Sequence, residues 1–196
     1  MKTTARTRRR ILAIALLALG AMRAPAAPAP LPDDPACTAV DRKFMQRANE
    51  LAAGASAHGN GAYGAILVKD GRIIAEFETC GVTMSDPTMH AETGLVALAS
   101  RTLGLEALKG SVLYTSTEPC LMCCGAIRNA GIREFVYGVT ALQVTRLRGG
   151  KVPDNPLQCR EVFARGAATT ATVIRGPLME AEGLVVHAVG LARSAR

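Results

Sequence analysis

Along this chain the apolar positions switch repeatedly between a helical and an extended period, and the switches fall where Gly, Pro or Asp interrupt the pattern. Phe44 to Ala53 carries apolar residues at helical spacing. Ala65 to Lys69 and Arg72 to Glu78 are strand-forming runs on either side of Asp70-Gly71, a pair suited to the positive φ angles of a tight turn, and together they predict a β-hairpin. Asp86-Pro87 reads as an N-cap followed by proline at the first helical position, after which Ala91, Leu95, Leu98 and Ala99 recur at helical spacing until Gly104. A strand over Ser111 to Thr115 leads to Pro119, which opens a second helix that Gly131 ends. Glu134 to Gly138 gives a further strand, Val173 to Ile174 a short one, and a last helix begins near Met179. A hairpin pairs antiparallel, whereas strands joined through helices run parallel, so the pattern predicts an α/β sandwich with a mixed sheet and no internal repeat.

The first residues stand outside that alternation. Lys2, Arg6, Arg8, Arg9 and Arg10 precede an apolar run from Ile11 to Met22 broken only by Gly20, and Ala24-Pro25-Ala26 offers a small-residue cleavage site. Residues 1–26 therefore read as a signal peptide, and Thr7-Arg8-Arg9-Arg10-Ile11-Leu12 resembles the twin-arginine type, a route that carries folded, metal-loaded proteins. The apolar run is too short for a stable membrane anchor. Export to a periplasm or the outside is expected on this reading; a true start at Met22, with a cytoplasmic chain, is the alternative. Pro28, Pro30, Pro32 and Pro35 make residues 27–37 an extended, disordered linker, with folded structure expected from near Cys37 and one domain over residues 38–196.

Removing the leader changes what the charge means. Of the 23 Lys and Arg residues, six precede residue 27 and no acid does, leaving 17 basic against 16 acidic groups in the remainder. A chain near +1 lacks the electrostatic footprint of a nucleic-acid binder, so nucleic acid is not the expected partner. The basic cluster Arg146-Leu147-Arg148-Gly149-Gly150-Lys151 reads as a solvated loop. With no Trp, four Phe and three Tyr, surface for stacking successive bases is scarce.

Candidate chemistry lies at the starts of the two central helices, in His90-Ala91-Glu92 and Pro119-Cys120-Leu121-Met122-Cys123. Zinc takes thiolate sulfur and imidazole nitrogen in tetrahedral geometry, and a catalytic site fills three positions and keeps the fourth for water. His90, Cys120 and Cys123 supply three ligands for Zn2+, the two cysteines sharing a helix face at i and i+3. A helix N-terminus favours the thiolates that zinc needs. Glu92, two residues past the histidine, is poorly placed to ligate the same ion and well placed to move protons beside it, which makes it the candidate catalytic group. A closed four-ligand structural zinc module is the alternative, with Cys124 as the fourth ligand. Adjacent helix residues point about 100° apart, so Cys124 reads better as a packed, unliganded thiol. Cys37, Cys80 and Cys159 remain, two of which could pair in an oxidising compartment without the sequence choosing which. His58 and His187 lack ligand spacing and are assigned to the surface or a pocket rim.

These residues carry a specific resemblance. The H-x-E and P-C-x-x-C pair, with Asp86-Pro87-Thr88-Met89 before the first motif, Tyr114 to Glu118 before the second, and Gly125-Ala126-Ile127 and Tyr137-Gly138 after it, resembles the cytidine and deoxycytidylate deaminase superfamily. Asn155-Pro156 and Cys159 to Gly166 are similar to its bacterial nucleoside and guanine deaminase branch, and the likeness covers residues 38 to 190. It implies a three-layer α/β/α cytidine deaminase-like domain with a five-stranded mixed sheet, assembled as a homodimer. It implies a zinc-dependent hydrolytic deaminase that removes an amino group from a small, guanine-like or cytosine-like nucleobase or nucleoside and releases ammonia. The runner-up is a nucleic-acid deaminase, acting on transfer-RNA adenosine or as an exported toxin. Where relatives place an asparagine that touches base or sugar, this chain has Thr79 or Cys80; with Ala91 these are the candidate substrate contacts. Relatives' Pro-Phe-Gly before the first hairpin strand is here Ala62-Tyr63-Gly64, their aromatic pair after Gly-Ala-Ile is Arg128-Asn129, and the aromatic residues that close the pocket in several of them are missing around His187 to Leu191.

Overall fold

A computed structural model describes residues 28–150, 157–165 and 171–194. The expected signal segment lies outside those residues, as do Asn155, Pro156 and Gly166. Helix α1 (Ala39–Ala57) is followed by strands β1 (Gly64–Lys69) and β2 (Arg72–Glu78), helices α2 (Ala91–Leu103) and α3 (Leu105–Leu108), and strand β3 (Val112–Thr117). Then come α4 (Leu121–Asn129), β4 (Glu134–Val139), α5 (Ala141–Leu147), α6 (Cys159–Arg165), β5 (Val173–Arg175) and α7 (Glu180–Ser194). The five strands form one sheet in the order β2-β1-β3-β4-β5. β1 pairs antiparallel with β2 and β3, while β3, β4 and β5 run parallel, so the sheet is mixed as the pattern of connections predicted.

Alternate side chains of each strand point to opposite faces, and both faces are covered. Ala65, Leu67, Leu113, Phe135 and Tyr137 pack under Ala91, Leu95 and Ala99 of α2 and Cys124 and Ile127 of α4. Ile66, Val68, Tyr114 and Val136 pack on the other side against Phe44, Met45 and Ala48 of α1. Val139 at the end of β4 meets Val144 of α5 and Leu184 of α7 in a smaller cluster. The result is the three-layer α/β/α arrangement. Among the described residues, no helix is long and apolar enough to cross a membrane.

Several boundaries differ from the sequence reading. α1 is longer at both ends than the sequence pattern marked, and a reciprocal capping box between Thr38 and Asp41 sets its N-terminus. Asp86 does not cap α2. Its carboxylate instead accepts from the backbone N–H and hydroxyl of Thr88, 2.8 and 2.6 Å away, which closes a local turn and delays the helix until His90 becomes its N-cap. Likewise Cys120 is the N-cap of α4, so Pro119 lies just outside the helix it was expected to open. Helices α3, α5 and α6 were not predicted; each is seven residues or shorter, too brief for a periodic signal to stand out. The described part of the proposed linker, residues 28–37, already touches the domain. The Leu31 N–H donates to Glu180, and an Asp34 carboxylate oxygen accepts from the Gly176 N–H at 2.9 Å. Cys37, Cys80 and Cys159 are all unpaired.

Candidate active site

Two helix N-termini converge at the carboxyl end of β3. His90 and Cys120 are the N-caps of α2 and α4, both in extended backbone conformation, and Cys123 is the third residue of α4. His90 Nδ1 lies 3.6 Å from Cys120 Sγ and 3.6 Å from Cys123 Sγ, and the two sulfurs are 3.6 Å apart. This near-equilateral triangle fits zinc. Bonds of about 2.3 Å to sulfur and 2.0–2.1 Å to nitrogen, set at tetrahedral angles, place sulfur pairs ~3.8 Å apart and sulfur–nitrogen pairs ~3.6 Å apart. Among the described residues no other group of His, Cys, Asp and Glu forms such a cluster. Hydrogen bonding between the thiols lowers the pKa of Cys120, helped by His90, and raises that of Cys123, so one thiolate is already favoured where a cation would sit.

Glu92 is not one of the ligands. It is the second residue of α2 and only 6% exposed, with Oε1 accepting from the Thr115 hydroxyl at 3.0 Å and Oε2 lying 3.3 Å from Cys123 Sγ. Burial pushes its carboxyl pKa up. Cys124 is buried and its sulfur lies 3.5 Å from the Pro119 carbonyl oxygen, as expected for a packed thiol. The triad thus has no fourth cysteine, and the closed structural site loses its candidate.

These groups open onto a cavity of about 700 Å³ whose lining includes Tyr63, Thr79, Glu92, Thr117, Val144 and Arg148. Of the three candidate substrate contacts, Thr79 lines the cavity; Cys80 and Ala91 do not. The Thr79 hydroxyl donates to the Met89 carbonyl oxygen at 2.8 Å, tying the end of β2 to the turn before His90. Cys80 faces Met84 instead, 3.2 Å sulfur to sulfur, and Ala91 is fully buried in the core.

The rest of the wall was not read from the sequence. Asn60 Oδ1 accepts from the backbone N–H groups of Val82 and Thr83, both at 3.1 Å, and so shapes the loop that forms one side. Glu118 lines the cavity, yet its carboxylate accepts from the first N–H of α5 at Ala141 (3.1 Å) and of α6 at Cys159 (2.9 Å), anchoring both helices. Arg148 is no free surface charge, because its Nη2 donates to the Tyr63 hydroxyl at 2.6 Å. His187 is buried rather than at a rim; its Nε2 lies 2.8 Å from Thr117 Oγ1 and its ring meets Tyr63 edge-on at 5.2 Å. Burial, then the Arg148 charge, pushes its pKa down to about 4. His58 does lie at the surface, paired with Glu78.

Comparison with known proteins agrees with this geometry. Residues 38–139 match the family described as the cytidine and deoxycytidylate deaminase zinc-binding region. The chain is 48% identical over 95 residues to the guanine deaminase of Bacillus subtilis, a match that covers 48% of this chain and 61% of that protein. It is 32% identical over 149 residues to a probable cytosine deaminase of Schizosaccharomyces pombe, covering 75% and 90%. A solved structure from work on A-to-I editing by tRNA:A34 deaminases superposes with a TM-score of 0.60 at 30% identity, covering 74% of this chain and 98% of that one.

Proposed function

Because this chain belongs to the cytidine and deoxycytidylate deaminase family through its zinc-binding region, we propose that it removes an amino group hydrolytically from a small purine or pyrimidine base or nucleoside, guanine-like or cytosine-like, and releases ammonia. The observation that carries this reading is the buried, non-ligating Glu92 carboxyl beside three ligand atoms in a triangle of 3.6 Å sides. His90, Cys120 and Cys123 would hold the zinc ion, which when bound supplies the Lewis acidity that lets water attack at neutral pH. Glu92 would take one proton from the attacking water and deliver it to the ring nitrogen, then take the remaining hydroxyl proton of the tetrahedral adduct and deliver it to the amine, which leaves as ammonia while the carbonyl forms. Thr115 fixes one carboxylate oxygen, so the other is the atom that moves the proton. Thr79 is the proposed substrate contact on the β2 side. Exposed Leu121 and Met122, next to the ligand Cys120, support assembly as a homodimer.

The likeness to tRNA:A34 deaminases supports a second reading, action on adenosine in transfer RNA. The near balance of 17 basic and 16 acidic residues beyond residue 26 weighs against it. The test is ammonia release from free bases and nucleosides, beside inosine formation in transfer RNA, using wild type and Glu92→Gln. We expect turnover on a small substrate, and a loss of about 10²-fold or more in the variant with its zinc retained. Equal turnover in the two proteins removes Glu92 from the chemistry, and activity confined to transfer RNA replaces the first reading by the second.

A further inference from the structure

Helix α5 carries one wall of the cavity and cannot hold that place by itself. It runs only from Ala141 to Leu147, and a helix so short gains little from its own hydrogen bonds in water, so its position comes from what ties it down. Ala141, Val144 and Thr145 face the cavity, as does Arg148 at the C-cap. Gln143 leaves the helix about 200° round from both Ala141 and Thr145, two steps of about 100°, and is buried away from the cavity.

Behind α5 lies the segment that precedes α1. The Gln143 amide nitrogen donates to the Ala29 carbonyl oxygen at 2.6 Å. Two residues on, the Leu31 N–H donates to Glu180 Oε2 at the start of α7. The other oxygen of that carboxylate accepts from the N–H and the hydroxyl of Thr140, the N-cap of α5, at 3.0 and 2.9 Å. Glu180 is buried, so these donors replace the water its carboxylate has lost. Asp33 Oδ1 accepts from the Met179 N–H at 2.8 Å, and Met179, with a φ of 57°, is in the left-handed region that residues other than glycine rarely adopt. The Asp34 N–H donates to the Pro177 carbonyl oxygen at 2.8 Å, and its carboxylate accepts from the Gly176 N–H at 2.9 Å. Residues 29–34 are thus fastened to the start of α7 and, both directly and through Glu180, to the first turn of α5.

We propose that residues 29–34 are a strap that positions the α5 wall of the cavity, with Leu31 and Glu180 as positioning residues for substrate binding. The bonds described above lie on α5, α7 and the segment between β5 and α7, whereas the ligands and Glu92 stand at the starts of α2 and α4. Loosening the strap should therefore change what the cavity holds and leave the reacting groups in place. The kinetic consequence rests on the deaminase reading of the site, and the grip on α5 does not. A leader cut after residue 26 leaves the strap whole, whereas a cut beyond Leu31 removes the bonds to Gln143 and Glu180.

Leu31→Pro tests one of these bonds. Proline has no N–H, and Leu31, which lies between Pro30 and Pro32 with an exposed side chain, already occupies a position where the following proline demands extended backbone. Leu31→Ala keeps the N–H and is the control. Hydrogen exchange read by mass spectrometry on the full chain compares residues 140–148 with 121–129, beside zinc content, melting temperature and steady-state ammonia release from guanine and cytosine. Leu31→Pro should exchange about ten-fold faster over 140–148, the low end of the range for one hydrogen bond to a charged group, with 121–129 unchanged. Leu31→Ala should match wild type. KM should rise in Leu31→Pro by up to the same factor with kcat and zinc content kept, because a loosened wall loses binding without touching proton transfer. Equal exchange over 140–148 in Leu31→Pro and Leu31→Ala overturns the strap. Faster exchange that spreads to 121–129 with loss of zinc also overturns it, since the segment would then brace the whole domain. Faster exchange confined to α5 with KM unchanged overturns the positioning role in substrate binding. If wild type releases ammonia from neither base, the deaminase reading fails for those bases, and the exchange comparison alone decides the grip on α5.

Discussion

Gly94→Ala offers a direct way to move the catalytic helix without touching a catalytic residue. On helix propensity alone, alanine in mid-helix should stabilise the protein by about 0.5–1 kcal/mol. Packing opposes this. A Cβ on residue 94 would lie 2.1, 2.5 and 2.6 Å from Cε1, Cδ1 and Cζ of Phe77 on β2, where ordinary contact begins near 3.4 Å. Three atoms of one rigid ring are involved, so either the whole ring swings out or α2 moves away from the sheet, and overpacking of this kind costs about 1–3 kcal/mol. The clash outweighs the propensity gain, giving a net loss of about 1 kcal/mol and a fall of about 2–4 °C in Tm. The functional effect should be larger than the thermal one. His90 and Glu92 stand at the first turn of the same helix, Gly94 N–H bonds to the His90 carbonyl oxygen at 2.9 Å, and misplacing a reacting group by 1 Å can cost about 10²-fold in rate. Thermal unfolding, zinc content and ammonia release measured on Gly94→Ala, Phe77→Ala and the double variant form a cycle. In the Phe77→Ala background, with the clash gone, Gly94→Ala should reverse sign and stabilise. Were Gly94→Ala alone to raise Tm and keep full turnover, the close approach of α2 to β2 would not govern the site.

Two further outcomes follow from the site and the core. Purified protein should carry one zinc per chain; Cys120→Ser and His90→Ala should lose it together with thermal stability, whereas Cys124→Ala should keep it, and zinc lost from Cys124→Ala would restore the closed-site alternative. Burial raises the Asp41 carboxyl, but hydrogen bonds from Arg175, Tyr114 and Thr38 outweigh it and hold the pKa down to about 2 from an ordinary 3.8. A depressed folded-state pKa contributes stability above the unfolded value, so about 2 kcal/mol should be present near pH 5 and disappear as pH falls towards 2. Asp41→Asn should flatten the urea-unfolding profile over that interval, and an unchanged acid slope would show that other carboxylates carry it.

What was legible in the sequence is what local spacing encodes. The Asp70-Gly71 hairpin, the two ligand-bearing helices and the parallel β3–β4 pair each announce themselves within a few consecutive residues, so the layer order follows from connection rules alone. The His90, Cys120 and Cys123 cluster, and the place of Glu92 beside it, were legible for the same reason: each motif is short, and each sits at a helix start. The helix starts themselves were misplaced by a few residues, because Asp86 satisfied a turn before it could satisfy a helix. A capping box at Thr38 and Asp41 was there to be read and marks where α1 begins. Tyr63, Thr117, Arg148 and His187 had no such signal. Arg148 stood in a basic cluster that resembles any solvated loop, and His187 lies 70 residues beyond the Thr117 it contacts.

The place of the cavity explains this division. In open α/β sheets a ligand crevice forms where neighbouring strands send their following helices to opposite faces. Beyond β3 the chain enters α4, whose Cys124 and Ile127 pack on one side of the sheet; beyond the adjacent parallel strand β4 it enters α5, whose Val144 packs with Val139 and with Leu184 of α7. The crevice between these exits has Thr117, Cys120 and the facing Glu92 on the β3 side, Ala141, Val144, Thr145 and Arg148 on the β4 side, and Tyr63, Thr79 and the loop at Val82 on the side of the hairpin. The ligand triangle and the facing Glu92 are therefore fixed by two short motifs, each written in consecutive residues at a helix start. Ala141, Val144 and Thr145 of the wall sit on α5, whose N–H at Ala141 donates to the Glu118 carboxylate. Replacement of α5 can therefore change what the cavity admits while the ligands, Glu92 and the β3 junction stay where they are.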